Sequence, residues 1–152
     1  MPKILSFDIG TSAKNLMAFA FTDNGKDFET GDYNFSKSEP KIDNTKKNYY
    51  DLYKWLKSII DLYKPTDIVI PVTTARRSTY ISHNRVNGII LFIAHRKKIP
   101  VHEVRDNTCR KNVLGKGNAT KDDVVEFFKQ ENDHRADACM FGYYYFNIDL
   151  QE

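Results

Sequence analysis

Hydrophobic positions follow two different periods along this chain. "KILSFDIG" (3–10) is a short, mostly apolar run that turns polar at Asp8, which reads as a strand ending in a turn. "NLMAFAFTDNG" (15–25) is apolar and closes on Asn24-Gly25, a strong hairpin signal. "KDFETGDYNF" (26–35) carries aromatics and threonine and reads as the next strand. A polar loop follows. The period then changes: Tyr49, Leu52, Trp55, Leu56, Ile59 and Leu62 recur at threes and fours, an amphipathic helix that Pro65 stops. "DIVIPV" (67–72) is a continuous apolar run and reads as a buried strand. "TTARRSTY" (73–80) is a polar, basic loop, and "SHNRVNGIILFIAHRKK" (82–98) reads as a helix starting at Ser82 with a basic end that suits the helix dipole. "IPVHEVRD" (99–106) is another strand. "NTCRKNVLGKGNA" (107–119) gives a short basic turn of helix and a Gly-rich loop. "TKDDVVEFFKQE" (120–131) is capped by Thr120 with acids in its first turn, and "DHRADACMFGYYYF" (133–146) is a final helix.

The order is βββαβαβαα. Three meandering strands precede alternating α and β elements, whose crossovers require parallel pairing. The expected fold is a single α/β domain over residues 1–152: a mixed five-stranded sheet flanked by helices. Ligands on such sheets favour the carboxyl ends of strands, and Asp8 stands at such an end.

Composition narrows the class. The chain is 41% hydrophobic and 13% aromatic, as a folded globular domain requires. It has no apolar run long enough to span a membrane and no secretory leader pattern, so a cytoplasmic setting is expected, in the bacterial host or at a viral replication site if the source is a phage or virus. Cys109 and Cys139 make neither a zinc pattern nor a disulfide framework. The net charge is only +3, but residues 74–121 carry 11 Lys/Arg against 2 Asp/Glu and the remainder 12 against 18. A basic middle between acidic ends suggests a polyanion partner, with nucleic acid the usual one and a solvated face the alternative.

Candidate chemistry lies at the two ends of the chain. Asp8 reads either as an ordinary turn residue or as a carboxylate that handles metal or phosphate. His134 and Asp137 are three apart on a helix, so they share a face, and such a pair can chelate a metal. Alone it reads more often as a solvated pair. Ala136 and Ala138 flank Asp137, and small neighbours let a helix lie close against a sheet.

Taken together, "FDIGT" (7–11), "VNGIILFIAHRKKIPVHEV" (86–104), "RKNVLGKGNATKDDV" (110–124) and "HRADA" (134–138) resemble the RuvC-type Holliday junction resolvases, especially the short relatives of phages and large DNA viruses. The resemblance implies a ribonuclease H-like fold and cleavage of branched DNA by a homodimer with Mg²⁺ or Mn²⁺, two ions in the family. Asp8 matches the first-strand ligand, and His134 and Asp137 match the last-helix pair. Lys121, and Arg110 or Lys111, match basic positions near the scissile phosphate or the DNA backbone.

One position departs from the family. The strand "DIVIPV" has Pro71 where the family usually carries a glutamate. Asp106, at the end of the neighbouring strand, is expected to replace it as a metal ligand; a helix N-cap is the equal alternative. The expected ligands are therefore Asp8, Asp106, His134 and Asp137, with Lys121 neutralising phosphate charge. Arg76, Arg77, Tyr80, Arg110, Lys111 and Lys116 are expected to contact DNA, Tyr80 by stacking or else by packing on its own helix. Two other functions remain open: a junction-binding protein that has lost its chemistry, and a nuclease of this fold acting on flaps or RNA-containing substrates.

Overall fold

Residues 1–9, 16–34, 44–72 and 77–151 are described by a computed structural model. Strands β1 (Ile4–Ile9), β2 (Leu16–Thr22), β3 (Glu29–Asn34), β4 (Asp67–Val72) and β5 (Val101–Arg105) form one sheet in the order β3-β2-β1-β4-β5. The first three pair antiparallel, while β1, β4 and β5 are parallel. Helices α1 (Asn44–Tyr63) and α2 (Arg77–Lys97) supply the crossovers, followed by α3 (Asp106–Leu114), α4 (Lys121–Phe128) and α5 (Asp133–Tyr144). Meander and crossovers both match the hydrophobic pattern.

Strand alternation divides the core between two faces. Leu5, Phe7, Ile68 and Ile70 pack with Leu52 and Leu56 of α1 and Ile90 and Ile93 of α2. Ile4, Val69 and Val104 point the other way, onto Cys109 of α3, Val124 of α4 and Met140 of α5. Asp8 shares this second face with Ile4 and Ser6. Ser6 is level with Val69 in the parallel register, and two residues further Asp8 comes level with Pro71. Pro71 in turn pairs with Val104, two residues before Asp106. Asp8, Pro71 and Asp106 thus lie along one sheet edge.

Several boundaries differ from the expected ones. Helix α2 begins at Arg77, not Ser82, so the backbone of Arg77 and Tyr80 is helical rather than loop. "RSTYI" contains neither Gly nor Pro, and nothing in it stops a helix growing backwards. Arg76 lies outside the described residues. The β2–β3 connection is six residues long, Asp23–Phe28, rather than a two-residue turn. Asn24 organises it: its side-chain oxygen accepts from the backbone N–H of Lys26 at 2.8 Å and of Asp27 at 2.9 Å, and Gly25 takes a φ of 74°. The last helix gives way at Tyr145 to a π-helical turn, Tyr145–Asp149. Asp106 is the first residue of α3, and Arg105 occupies the cap position without a side-chain bond, so Asp106 is not the N-cap. Thr120 caps α4 as expected, in a reciprocal capping box with Asp123.

Helix α5 is seated closely on β1 and β2. Ala18, Ala20 and Ala138 are fully buried between them. The Ser6 hydroxyl donates to the Ala138 carbonyl at 2.6 Å and lies 3.2 Å from that of Ala20. A Cβ on Gly142 would stand 2.7 Å from Ser6 Oγ, which those two carbonyls hold in place. Gly142→Val is therefore expected to lower stability by about 1–3 kcal/mol through overpacking. Urea denaturation measures it, and an unchanged midpoint would show that the helix has room to spare.

Candidate active site

The first turn of α5 is fixed before any chemistry is placed on it. Asn132 caps the helix by accepting from the N–H of Arg135 at 2.9 Å, and its amide donates to Asp32 of β3 at 3.1 Å. Arg135 Nε donates to the same Asp32 oxygen at 2.7 Å. With that turn clamped to the sheet, His134 faces the end of β1, and its Nδ1 makes a 2.8 Å hydrogen bond to Asp8 Oδ2. Nε2 is the ring atom that remains, 3.9 Å from Asp133 Oδ1.

Asp137 lies one turn further along α5. It is only 7% exposed, and its Oδ1 has no hydrogen-bond partner. Arg110, on α3, reaches into the same space. Its Nε bonds Asp106, its Nη1 donates to the Ala119 carbonyl at 2.9 Å, and its Nη2 stands 3.6 Å from Asp137 Oδ1. The four residues expected as ligands fall into two contacts: Asp8 with His134, 126 residues apart in sequence, and Asp106 and Asp137 on either side of Arg110.

Electrostatics follow from that crowding. Burial, with Asp8 and Asp106 adding like charge, pushes the Asp137 carboxyl up to about 8, against the opposing pull of Arg110. Burial likewise raises Asp8, although its bond to His134 pulls the other way. The bond from Asp8 holds His134 above its ordinary value. Carboxylates that repel in this way, beside an orphaned oxygen, suit a hard divalent cation. Asp8 is turned to His134 and Asp106 to Arg110, however, so among the described residues no three His, Cys, Asp or Glu side chains are gathered as a ready-made cage.

The basic residues are distributed differently. Arg110, expected at the DNA backbone, has its side chain 13% exposed and turned in among the acids. Lys121 is exposed at the start of α4 and 3.4 Å from Asp133 Oδ2, which brings it to the rim of the site through Asp133. Lys116 pairs with Asp123 at 3.4 Å. Lys111 is exposed on α3. Asp133 and the inward role of Arg110 were not anticipated from sequence. The signals were present: Asp133 and Asp137 are four apart on one helix face, as are Asp106 and Arg110.

The family model described as crossover junction endodeoxyribonuclease RuvC matches residues 23–132. The chain belongs to the RuvC family. The enzyme of that name from Pseudothermotoga lettingae is 36% identical over 80 residues, covering 51% of this chain and 49% of that protein. The one from Chlamydia caviae is 27% identical over 84 residues, covering 54% and 50%. The chain therefore spans about half the length of the curated RuvC relatives that it matches. Its fold is that of Thermus thermophilus RuvC, solved in complex with a Holliday junction substrate: TM-score 0.74 at 14% identity, over 94% of this chain and 92% of that one. A yeast mitochondrial Holliday junction resolvase superposes with TM-score 0.63 at 11% identity, over 92% and 75%. The stretch matching the RuvC family includes Asp106, Arg110 and Lys121. Asp8, His134 and Asp137 lie outside it and rest on geometry.

Asp137 gives the site a definite pH dependence. Its folded value of about 8 lies above the 3.8 of an ordinary aspartate, so the folded state keeps a proton that the unfolded chain has released. Stability of the metal-free protein therefore falls as pH rises between those values. Asp137→Asn does not titrate, so its stability advantage over wild type in EDTA should be larger at pH 9 than at pH 5 by about 1 kcal/mol or more. Equal differences at both pH values would mean that the carboxyl titrates normally.

Proposed function

We propose that this chain is a divalent-metal-dependent endonuclease that cuts four-way or other branched DNA, acting as a homodimer with Mg²⁺ or Mn²⁺. The observation that carries the reading is the 2.8 Å contact of a first-strand carboxylate, Asp8, with His134 of the last helix, one turn before the buried Asp137, in a chain of RuvC family and fold.

In this reading Asp8, His134 and Asp137 hold the cation, and Asp106 borders it from the end of β5. A bound divalent ion would activate water and neutralise charge on the scissile phosphate. The chain's own groups do the rest. The buried Oδ1 of Asp137, without a hydrogen bond and 3.6 Å from Arg110 Nη2, would become an anionic donor once the ion displaces the carboxyl proton. His134, fixed by Asp8, keeps Nε2 as the atom able to bind or to exchange a proton. Lys121, swinging free of Asp133, meets the phosphate and stabilises its developing charge. Lys111 and Lys116 extend the positive rim, and Arg76, Arg77 and Tyr80 are proposed as further DNA contacts near the branch point. Symmetric nicking of a two-fold junction needs two sites related by a two-fold axis. Leu91 and Phe92 on α2, 43% and 56% exposed, offer apolar surface for a second copy. No helix among the described residues is long and apolar enough to cross a membrane.

Pro71 favours a second reading. It stands level with Asp8 on the same face and offers no donor side chain, so a junction-binding protein without nuclease activity is the competing function. Cleavage of a labelled four-way junction with Mn²⁺ or Mg²⁺ separates the two. Wild type is expected to nick opposite strands symmetrically, and Asp8→Asn and Asp137→Asn to bind with cleavage reduced at least about a hundredfold. Tight binding by wild type with no cleavage in either metal would favour the second reading, and preferential cleavage of flaps or RNA–DNA hybrids would reassign the substrate.

A further inference from the structure

Two rows of side chains cross the sheet under the start of α5. Asp8 of β1 is paired with Ala18 of β2, and Ala18 with Asp32 of β3, so these three stand in one row on the face that α5 covers. The next row is Ser6, Ala20 and Thr30. The alanine in the middle of each row is fully buried and has no polar side-chain atom. The polar contacts to α5 and to the turn before it come from the two ends of each row.

At the β3 end, both rows hold the chain that enters α5. The Thr30 hydroxyl donates to Gln130 Oε1 at 2.8 Å. Asp32 Oδ2 accepts from Asn132 Nδ2 at 3.1 Å and from Arg135 Nε at 2.7 Å. Asn132 and Arg135 bracket His134, and the cap joins them to each other. Two positions of one helical turn tied to a single oxygen leave that turn little freedom to rotate about its axis. The Asp32 and Arg135 side chains are only 25% and 21% exposed, whereas Glu131, 3.6 Å from the same guanidinium, is 79% exposed and holds it weakly. At the β1 end of the row, Asp8 meets His134 at 2.8 Å. Consecutive helical residues point about 100° apart. Fixing Arg135 on Asp32 therefore sets the direction in which His134 leaves the helix, towards the carboxylate two strands away, about 10 Å along the row.

We infer that Asp32 is the positioning residue for His134: it locks the first turn of α5 in the rotation that places the imidazole on Asp8 and leaves Nε2 available. The inference rests on the nuclease reading above and adds to it a residue of the edge strand β3 that acts only through Asn132 and Arg135.

The test has two arms, both on the full chain. In the first, without metal or DNA, nuclear magnetic resonance follows the imidazole N–H that faces Asp8, assigned by its loss in His134→Gln. Wild type should show it as a slowly exchanging signal, and Asp32→Ala should lose it while circular dichroism stays that of the folded protein. In the second arm, cleavage of a labelled four-way junction with saturating Mn²⁺, Asp32→Ala should lower kcat between about tenfold and a hundredfold, with KM within about twofold of wild type. A signal that survives in Asp32→Ala would overturn the inference, as would its absence from wild type. An unchanged kcat, or a change in KM alone, would also overturn it. If Asp32→Ala does not fold, Arg135→Met, which removes the guanidinium and keeps the Asn132 bond, is read by the same two arms and decides in the same way. A wild type that does not cut would sink the nuclease reading, and the imidazole signal would still decide whether Asp32 orients His134.

Discussion

The Ser6 hydroxyl lies 2.6 Å from the carbonyl of Ala138, and everything at the candidate site depends on that approach. A helix normally stands off from a sheet by the depth of two layers of side chains. Here the layer is reduced to Ser6, Ala18 and Ala20 on the strands and Ala138 and Gly142 on the helix. The backbone of α5 therefore comes close enough to the sheet for a short histidine–aspartate hydrogen bond to span the gap. Larger residues at these positions would lift the helix from the sheet and draw His134 away from Asp8.

Bringing α5 down this far has an electrostatic consequence. It buries Asp137 beside Asp8 and Asp106, and isolated charges are strongly disfavoured in such surroundings. The chain responds in three ways. Asp8 shares a proton-bearing ring with α5, Asp106 is neutralised by Arg110, and Asp137 tends to keep its own proton, with a value of about 8. Each response opposes the packing penalty without apolar residues, which would remove the chemistry. An assembly that is costly as bare charge and stable with a bound cation is the general form of a metal-dependent site.

The same helix is also held from its far end. Tyr145, where α5 passes into the π-helical turn, stacks on His102 with ring centroids 4.3 Å apart. His102 Nε2 lies 2.9 Å from the Tyr145 hydroxyl and 2.8 Å from Asp67 Oδ1. These groups sit at the starts of β4 and β5, at the opposite edge of the sheet from Asp8. The helix is thus pinned by Asp32, Asn132 and Arg135 at one end and by Tyr145 at the other, with small residues between. That arrangement fixes its rotation as well as its height, and rotation decides whether His134 and Asp137 face the sheet.

The sequence by itself determined the element order, the mixed sheet, the cap at Thr120 and the candidacy of Asp8, His134 and Asp137, because these depend on local period, short-range capping and a quotable resemblance. It also located the departure at Pro71, which is visible residue by residue. Tertiary structure decided the rest. Whether Asp106 capped a helix or joined the acids depended on where α3 began, and Arg105 takes the cap position instead. Arg110 looked like a surface cation because its charge suits either place; only the packing of α3 against α5, and the nearby Ala119 carbonyl, turned it inward. Gly142 and Ser6 carry no chemical signature in the sequence at all. Their importance comes from a contact across 136 residues, and a one-dimensional pattern holds no record of which small residues will meet.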